Sequence, residues 1–485
     1  MTTPDLARRP GQAAAAPSHR WLMLAVLLGG QFMALLDVFV VNVAMPSIGA
    51  DLHASGAVLQ LVVGGYTAAY AMLLITGARL GSRYGLRRMY LLGLWGFTAA
   101  SLASGLAPSS AALIAARCAQ GAAAAMMVPQ IMSVIQMRFD GAARAKALSA
   151  YGLVLSAGAV FGVVLGGVLV SADLLGATWR PVFLINVPLG AVLAAAVPRV
   201  VPADPPRAGG PDPRRLDLGG LALAASAVCL IVLPLVLGHD LGWPAWIPAC
   251  VAAGLLLAAA FAGYERAVAA RGGDPLLNLG VLRAPGLPAG LGTLAAILAG
   301  FGGLLFVLTL HLQAGLGESA LRAGLTWIPM AGMFGLVGYF WRALPARVHP
   351  VLPPAGMALT AAAYLGIAAA VRSGSAGGPL VWVSLAAAGA GLGASVSPLL
   401  TQSLVGVPRA LAADASGLVT TVVQLCQVVG VAGFGTVYLS LAGSAGAAAA
   451  SGRAVAVTAT LIALLAGLGL VPATALARTV LRARA

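Results

Sequence analysis

The sequence predicts an all-α polytopic membrane protein: 14 transmembrane helices, arranged as two six-helix bundles with a two-helix central insert. Three observations carry that prediction. Of 485 residues, 60% are hydrophobic and 8% charged, against roughly 45–50% and about 25% in typical soluble proteins, too few charges for a water-facing shell. The apolar runs are continuous and about 20 residues long, the length at which a helix spans hydrocarbon. Barrel strands would instead alternate over about 10 residues. Finally, two polar stretches divide the runs into six, two and six.

The first span is expected at 22–44. It is longer than the apolar region of a cleaved secretion signal, and no A-x-A site follows it. Five more follow near 58–78, 89–107, 111–135, 147–170 and 181–198, closing an N-terminal bundle over 1–198. Arg199–Arg215, rich in proline and arginine, is too polar to cross and poor at forming helix. Spans seven and eight, near 217–237 and 245–264, form the insert, and Arg266–Gly280 is the second linker, so linkers and insert together occupy 199–280. The last six spans are expected near 290–312, 323–341, 352–371, 379–405, 415–440 and 455–477, in a C-terminal bundle over 281–485. Many secondary transporters pair two such halves around a midplane site.

Orientation follows from the basic residues. With the N-terminus in the cytoplasm, 23 of the 28 Lys and Arg fall on that side and 4 (Arg180, Arg322, Arg372, Arg453) on the other. Such a bias is the positive-inside signature, and one missed or extra helix would spoil it. Both termini are therefore expected in the cytoplasm. Only Arg117 lies within a span. The formal charge of +15 is thus a membrane-topology signal rather than a nucleic-acid footprint.

Several chemistries are excluded. The only lysine, Lys146, follows Ala145, so there is no phosphate-binding GxxxxGK[ST] loop to drive transport with ATP. Cys118, Cys229, Cys250 and Cys426 are scattered among apolar neighbours, and the five histidines form no HExxH, so no metal site and no cofactor are expected. No acidic DDxxD cluster supports a membrane-embedded transferase, and no repeated filter loop supports a channel.

Leu36-Asp37-Val38-Phe39-Val40-Val41-Asn42-Val43-Ala44-Met45-Pro46 lies in the first span, and Gly77-Ala78-Arg79-Leu80-Gly81-Ser82-Arg83-Tyr84-Gly85-Leu86-Arg87-Arg88 follows the second. Arg117-Cys118-Ala119-Gln120-Gly121 lies in the fourth, Gly158, Gly162, Val163, Gly166 and Gly167 in the fifth, and Trp179-Arg180-Pro181-Val182-Phe183-Leu184-Ile185-Asn186-Val187-Pro188-Leu189-Gly190 at the sixth. Gln313, Gly317, Gly324 and Pro329 follow in the C-terminal half. In that order they resemble the motifs of the major facilitator superfamily, in its fourteen-helix drug/proton antiporter branch: LDxTxVNVALP, the arginine-rich loop after span two, RxxQG, GxxxGPxxGG, WRWxFxINxPxG and QxxxG. The resemblance covers nearly the whole chain. It implies the major facilitator fold and proton-coupled efflux of drugs or antibiotics by alternating access.

Two positions depart from the pattern. Ser82 stands where the family has an aspartate, implied to dock on a helix N-terminus of the other half. Serine carries no charge there and forgoes about 0.3–1 kcal/mol of dipole attraction. Val163 replaces the proline of the antiporter motif, leaving span five straighter and its packing resting on glycines.

Asp37 is the only acid expected deep within a span. A carboxylate there costs about 2.5–3.5 kcal/mol, so it should face a cavity or a partner. Asp37 lies roughly 10 Å below the outer end of span one, and Arg117 roughly 9 Å below that of span four, at 1.5 Å per residue. The resemblance makes these spans neighbours. Two roles fit: Asp37 as the proton site modulated by Arg117, or a static ion pair that fixes helix packing. Burial favours the neutral acid and the arginine the charged one, so substrate entry could tip the balance.

The motif glycines 158, 162, 166 and 167 either pack helices closely or also seal a leak path during exchange. Gly77, Ser82, Arg83, Gly85, Arg87 and Arg88 mark a gating loop or a topology signal. By analogy with the family, spans one, four, nine and twelve line the substrate cavity. Gln31, Asn42, Gln120, Gln130, His311, Gln313, Trp327, Gln402 and Gln424 are its candidate lining, with Gln427 beside them; His311 is a second titratable group or an ordinary capped one. An apolar cavity with a few polar groups suits lipophilic molecules. With a single deep acid, neutral, zwitterionic or anionic aromatic compounds fit better than dications. The expected protein is a monomeric exporter in the cytoplasmic membrane of a bacterium, contacting lipid, a lipophilic substrate and protons. Uptake or exchange of a metabolite or siderophore on the same fold is the alternative.

Overall fold

A computed structural model of the chain describes residues 17–204, 217–238, 241–273, 275–408, 411–442 and 448–482. All regular structure among them is helical. The first half runs α1 (Pro17–Asp51), α2 (Gly56–Tyr84), α3 (Leu86–Gly105), α4 (Ser110–Arg138), α5 (Gly141–Ala172), α6 (Pro181–Leu184) and α7 (Asn186–Val200). Then come α8 (Leu218–Leu237) and α9 (Trp246–Ala270). The second half holds α10 (Leu287–Leu310), α11 (Ala320–Thr326), α12 (Ile328–Phe340), α13 (Leu352–Val371), α14 (Gly378–Val405), α15 (Ala412–Ala442) and α16 (Ala448–Arg482).

Local chemistry sets the ends of these helices. Ser55, Ser109, Asp217 and Ser319 each accept a backbone N–H in the first turn of α2, α4, α8 and α11, satisfying donors that the helix itself leaves open. Two expected spans are broken in the structure. The sixth divides at Ile185 and the tenth at Trp327, three residues before Pro188 and two before Pro329. Proline has no N–H and clashes with the carbonyl four residues back, so the ladder gives way there.

The expected loop at 79–88 is a correction. Gly77, Ser82 and Arg83 are helical in α2, Arg87 and Arg88 already belong to α3, and the only break is Gly85 at φ 104°. That conformation suits glycine, and one such residue turns the chain without a loop. The second linker is also shorter than expected, because α9 continues to Ala270.

Twelve helical segments among the described residues are long and apolar enough to cross a membrane. The expected spans outside that set fall on α3 and α5, where Phe161–Ala172 is a shorter apolar stretch. Within the first half α2 packs on α4, α4 on α3, and α1 on α5; within the second, α13 packs on α14 and α16, α12 on α14, and α10 on α15 and α16. The helices α8 and α9 pair with each other, and α8 also touches α2 and α15.

Buried apolar residues form two main cores. One joins Leu36–Ile48 of α1 and the start of α2 to α10, α13 and α16, and so ties the halves together at the Asp51 end of α1. The other holds Met23–Ala34 of α1 with α3, α4 and α7 and contains no residue beyond Val201.

Candidate functional site

Asp37 is fully buried, and so are the side chains around it. Arg117 Nη1 donates to Asp37 Oδ2 and to Gln120 Oε1 at 2.7 Å. Gln120 Nε2 donates to Asp37 Oδ1 at 2.7 Å and to Ser101 Oγ at 2.8 Å. Asn186 Nδ2 reaches Asp37 Oδ1 at 3.0 Å. Arg117 Nε is held by the Val62 carbonyl at 3.1 Å, and its guanidinium lies 4.5 Å from the Tyr66 ring centre and 5.6 Å from that of Phe183. Charge, hydrogen bonds and ring faces together offset the desolvation of the ion pair.

Helices α1, α3, α4 and α7 supply the hydrogen-bonding side chains of this cluster, and α2 and α6 the ring faces. Arg117 and Gln120 lie three residues apart and so share a face of α4. The break at Ile185 sets Asn186 at the start of α7, facing α1. Asn186, Ser101 and Tyr66 carry roles that the sequence did not assign. Asn186 stands inside a motif and was polar within an apolar run, which was the available signal.

Beside the cluster, a cavity of about 10 Å³ lies between the halves, room for one water at most. Val38, Asn42, Val63, Gly64 and Thr67 line one side, and Gly302, Leu305, Gln427, Val428 and Val431 the other. Val38 and Val63 are the residues next to Asp37 and to Val62. Asp37 is therefore one helix position removed from the cavity.

Of the expected cavity residues, the structure brings Asn42 to this space, with Gln427. Most of the others are engaged elsewhere. Gln120 belongs to the Asp37 cluster. Gln31 accepts from the Tyr151 hydroxyl at 3.3 Å. Gln130 ties α4 to the Gly77 carbonyl at 2.9 Å, and Gln402 donates to His349 O at 2.7 Å. His311 is buried, with Nδ1 2.8 Å from Ser451 Oγ and Nε2 3.3 Å from Ser375 O. Gln313 donates across the halves to Val43 O at 2.9 Å. Trp327 is buried at the α11–α12 break, and Gln424 is half-buried on α15. A glutamine in an apolar run signals burial but not which neighbour it bonds.

The motif glycines serve close approach. A β-carbon on Gly158, Gly162 or Gly166 would come 2.8 Å from Leu35 Cβ, 2.8 Å from Phe39 Cβ or 3.0 Å from Val40 O, all on α1. On Gly167 it would instead meet Leu321 Cα at 2.8 Å, and on Gly324 Val163 O at 2.8 Å. One face of α5 thus packs within its own half and the next face packs on α11. Ser171 Oγ, accepting Leu321 N–H at 3.1 Å, extends that seam. At the α2–α3 corner, Gly77 leaves no room for a side chain against Ala125 O, nor Gly81 against Gln130. Arg87 and Arg88 give their backbone N–H groups to the two Asp204 oxygens, each at 3.0 Å. Arg83 lies by the Tyr84 ring, and the Ser82 side chain is outside the described residues.

The profile of the Major Facilitator Superfamily matches residues 27–431. A probable actinorhodin transporter of Streptomyces coelicolor is 39% identical over 442 residues, 90% of this chain and 75% of that protein. A cephamycin export protein of Amycolatopsis lactamdurans is 36% identical over 434 residues, covering 87% of this chain and 85% of its own. Among solved structures, an inward-facing bacterial homologue of the human lysosomal transporter Spinster superposes with a TM-score of 0.68 at 15% identity, over 96% of this chain and 99% of that one. With helices able to cross a bilayer, and with family and relatives that are transporters rather than enzymes, the chain is a multi-pass membrane protein belonging to the major facilitator superfamily.

Proposed function

We propose that this protein is a proton-coupled antiporter that exports lipophilic, antibiotic-like molecules across the cytoplasmic membrane of a bacterium by alternating access. The observation that carries the reading is Asp37: a fully buried acid, held by Arg117, Gln120 and Asn186, beside a cavity between the halves. The names of the relatives, which transport or export antibiotics, support the direction and cargo. Fourteen spans, with α3 and α5 included, give two six-helix bundles, 1–198 and 281–485, around the α8–α9 insert, and both termini in the cytoplasm. The protein works as a monomer in lipid with no cofactor but the proton. Neutral or anionic aromatic molecules are the expected cargo.

The mechanism turns on one contact. A proton on Asp37 and an N–H of Arg117 cannot both occupy the space between the two side chains, so proton uptake parts the ion pair. Freed from α1, Arg117 keeps its Val62 carbonyl on α2. The α1–α4 contact is then left to Gln120 and loosens beside the space between the halves, which must widen before it admits substrate. Release of the proton restores it.

The test is export in everted vesicles under an imposed proton gradient, screened over aromatic antibiotics. Asp37→Asn is expected to abolish gradient-driven export while the protein still reaches the membrane. Undiminished export by that variant would reject Asp37 as the coupling site, and divalent cations as best substrates would reject the cargo class.

A further inference from the structure

A second buried acid lies at the base of the α8–α9 pair. The sequence places Glu265 at a span end, but the structure buries it to 1% exposure. Its Oε2 accepts the Leu277 N–H at 2.6 Å, while Oε1 has no hydrogen-bond donor. Opposite stands Asp217. Its Oδ1 accepts from Gly220 N at 2.8 Å and from the Tyr264 hydroxyl at 3.0 Å, and its Oδ2 likewise has no donor. The two donorless oxygens meet over the bare Cα of Gly220, where a β-carbon would strike both.

Glu265 is buried and Asp217 half-buried, and two carboxylates that face each other with no donor between them repel when both are charged. One proton satisfies both oxygens at once. We propose that Glu265 and Asp217 share a single proton, forming a second proton-binding site distinct from Asp37. The inference does not rest on the transport reading, since the pair is defined by its own geometry. Among the described residues, Tyr264 and Arg79 are the other titratable groups that face the pair, with Arg271 near Tyr264. Tyr264 is committed to Asp217 Oδ1. Arg79, near the end of α2, donates to the Pro275 carbonyl.

That last contact gives the site its reach. Leu277, held by Glu265, is two residues from Pro275, held by Arg79. When the shared proton leaves, like charges push Oε1 and Oδ2 apart, while the Leu277 N–H, which bonds a charged carboxylate better than a neutral one, holds Glu265 more tightly. The 275–277 segment then fixes the end of α2 to the insert more firmly than when the pair holds its proton. The insert thereby senses pH and passes the change to a helix of the first half.

Infrared difference spectra of the full-length protein in nanodiscs test this directly. Stepping pH upward should remove a protonated-carboxyl band from the wild type. That band should be absent in Glu265→Gln and in Asp217→Asn but unchanged in Asp37→Asn. Hydrogen exchange provides a second readout: exchange of the Leu277 amide should rise with pH by less than the intrinsic increase in the wild type, and follow the intrinsic increase in Glu265→Gln, whose amide donates permanently to Asp217. A wild type without a band depending on both acids overturns the proposal, as does a melting temperature that rises with sodium at fixed pH, which would mark a metal cation between them.

Discussion

Asp37 and Arg117 lie 80 positions apart in sequence and meet with the aspartate at 0% and the arginine at 1% exposure. At that depth the pair is defined by what happens when one member is lost. Arg117→Ala leaves a carboxylate buried without its cation and should cost about 3–5 kcal/mol, read as a lower melting temperature in detergent. Asp37→Asn removes that charge, so the Asp37→Asn/Arg117→Ala double variant should melt above Arg117→Ala alone. Equal melting points for the two would mean that the ion pair does not carry the penalty. The two residues are legible in sequence because a lone acid and a lone arginine inside apolar runs have few other uses. Gln120 and Asn186 are not: which amide reaches an acid depends on the rotation of α4 and on the break before Pro188.

Among the elements, the corner between α2 and α3 carries most on least sequence. Gly85 provides a backbone conformation that β-carbons resist and leaves space for Asp204, whose oxygens accept the first N–H groups of α3. Gly85→Ala should strain the turn and displace Asp204, destabilising by about 1–3 kcal/mol; a melting shift smaller than that of a surface Gly→Ala control would contradict this. Asp204 comes from the linker after α7 and caps α3 within the same half, so it does not replace a docking charge at position 82. The seam between α5 and α11 works by absence of side chains. Gly167→Val or Gly324→Val should hold the two helices apart and lower export while leaving the α1–α5 packing intact. The spacing of the motif glycines was visible from the outset, but the partition of Gly162 toward α1 and Gly167 toward α11 follows from about 100° of rotation per residue on a helix already docked.

Over the whole molecule, the halves are joined through apolar core at the Asp51 end of α1, while the core around Met23–Ala34 stays within the first half. Phe39 against Phe301, with ring centres 6.1 Å apart, and Gln313 on Val43 belong to the joined end. A cysteine pair at Ser171 and Leu321, in a background freed of the four native thiols, should cross-link on oxidation and halt export until reduced. Full export by the oxidised pair would show that this seam need not open.

Composition and run length alone determined that this chain lives in a bilayer as helices, because hydrocarbon accepts no other way of satisfying a backbone with so few charges to spare. They also marked Asp37, Arg117 and the glycines of α5, since burial of a charge or loss of a side chain leaves a mark on the sequence itself. Which polar groups touch was decided by tertiary structure. Hydrogen bonds to Asp37, the pairing of Glu265 with Asp217, and the closing of one end of the molecule depend on helix rotation and on breaks of a single residue. Apolar runs that are hydrophobic on every side contain no periodicity from which those rotations could be read.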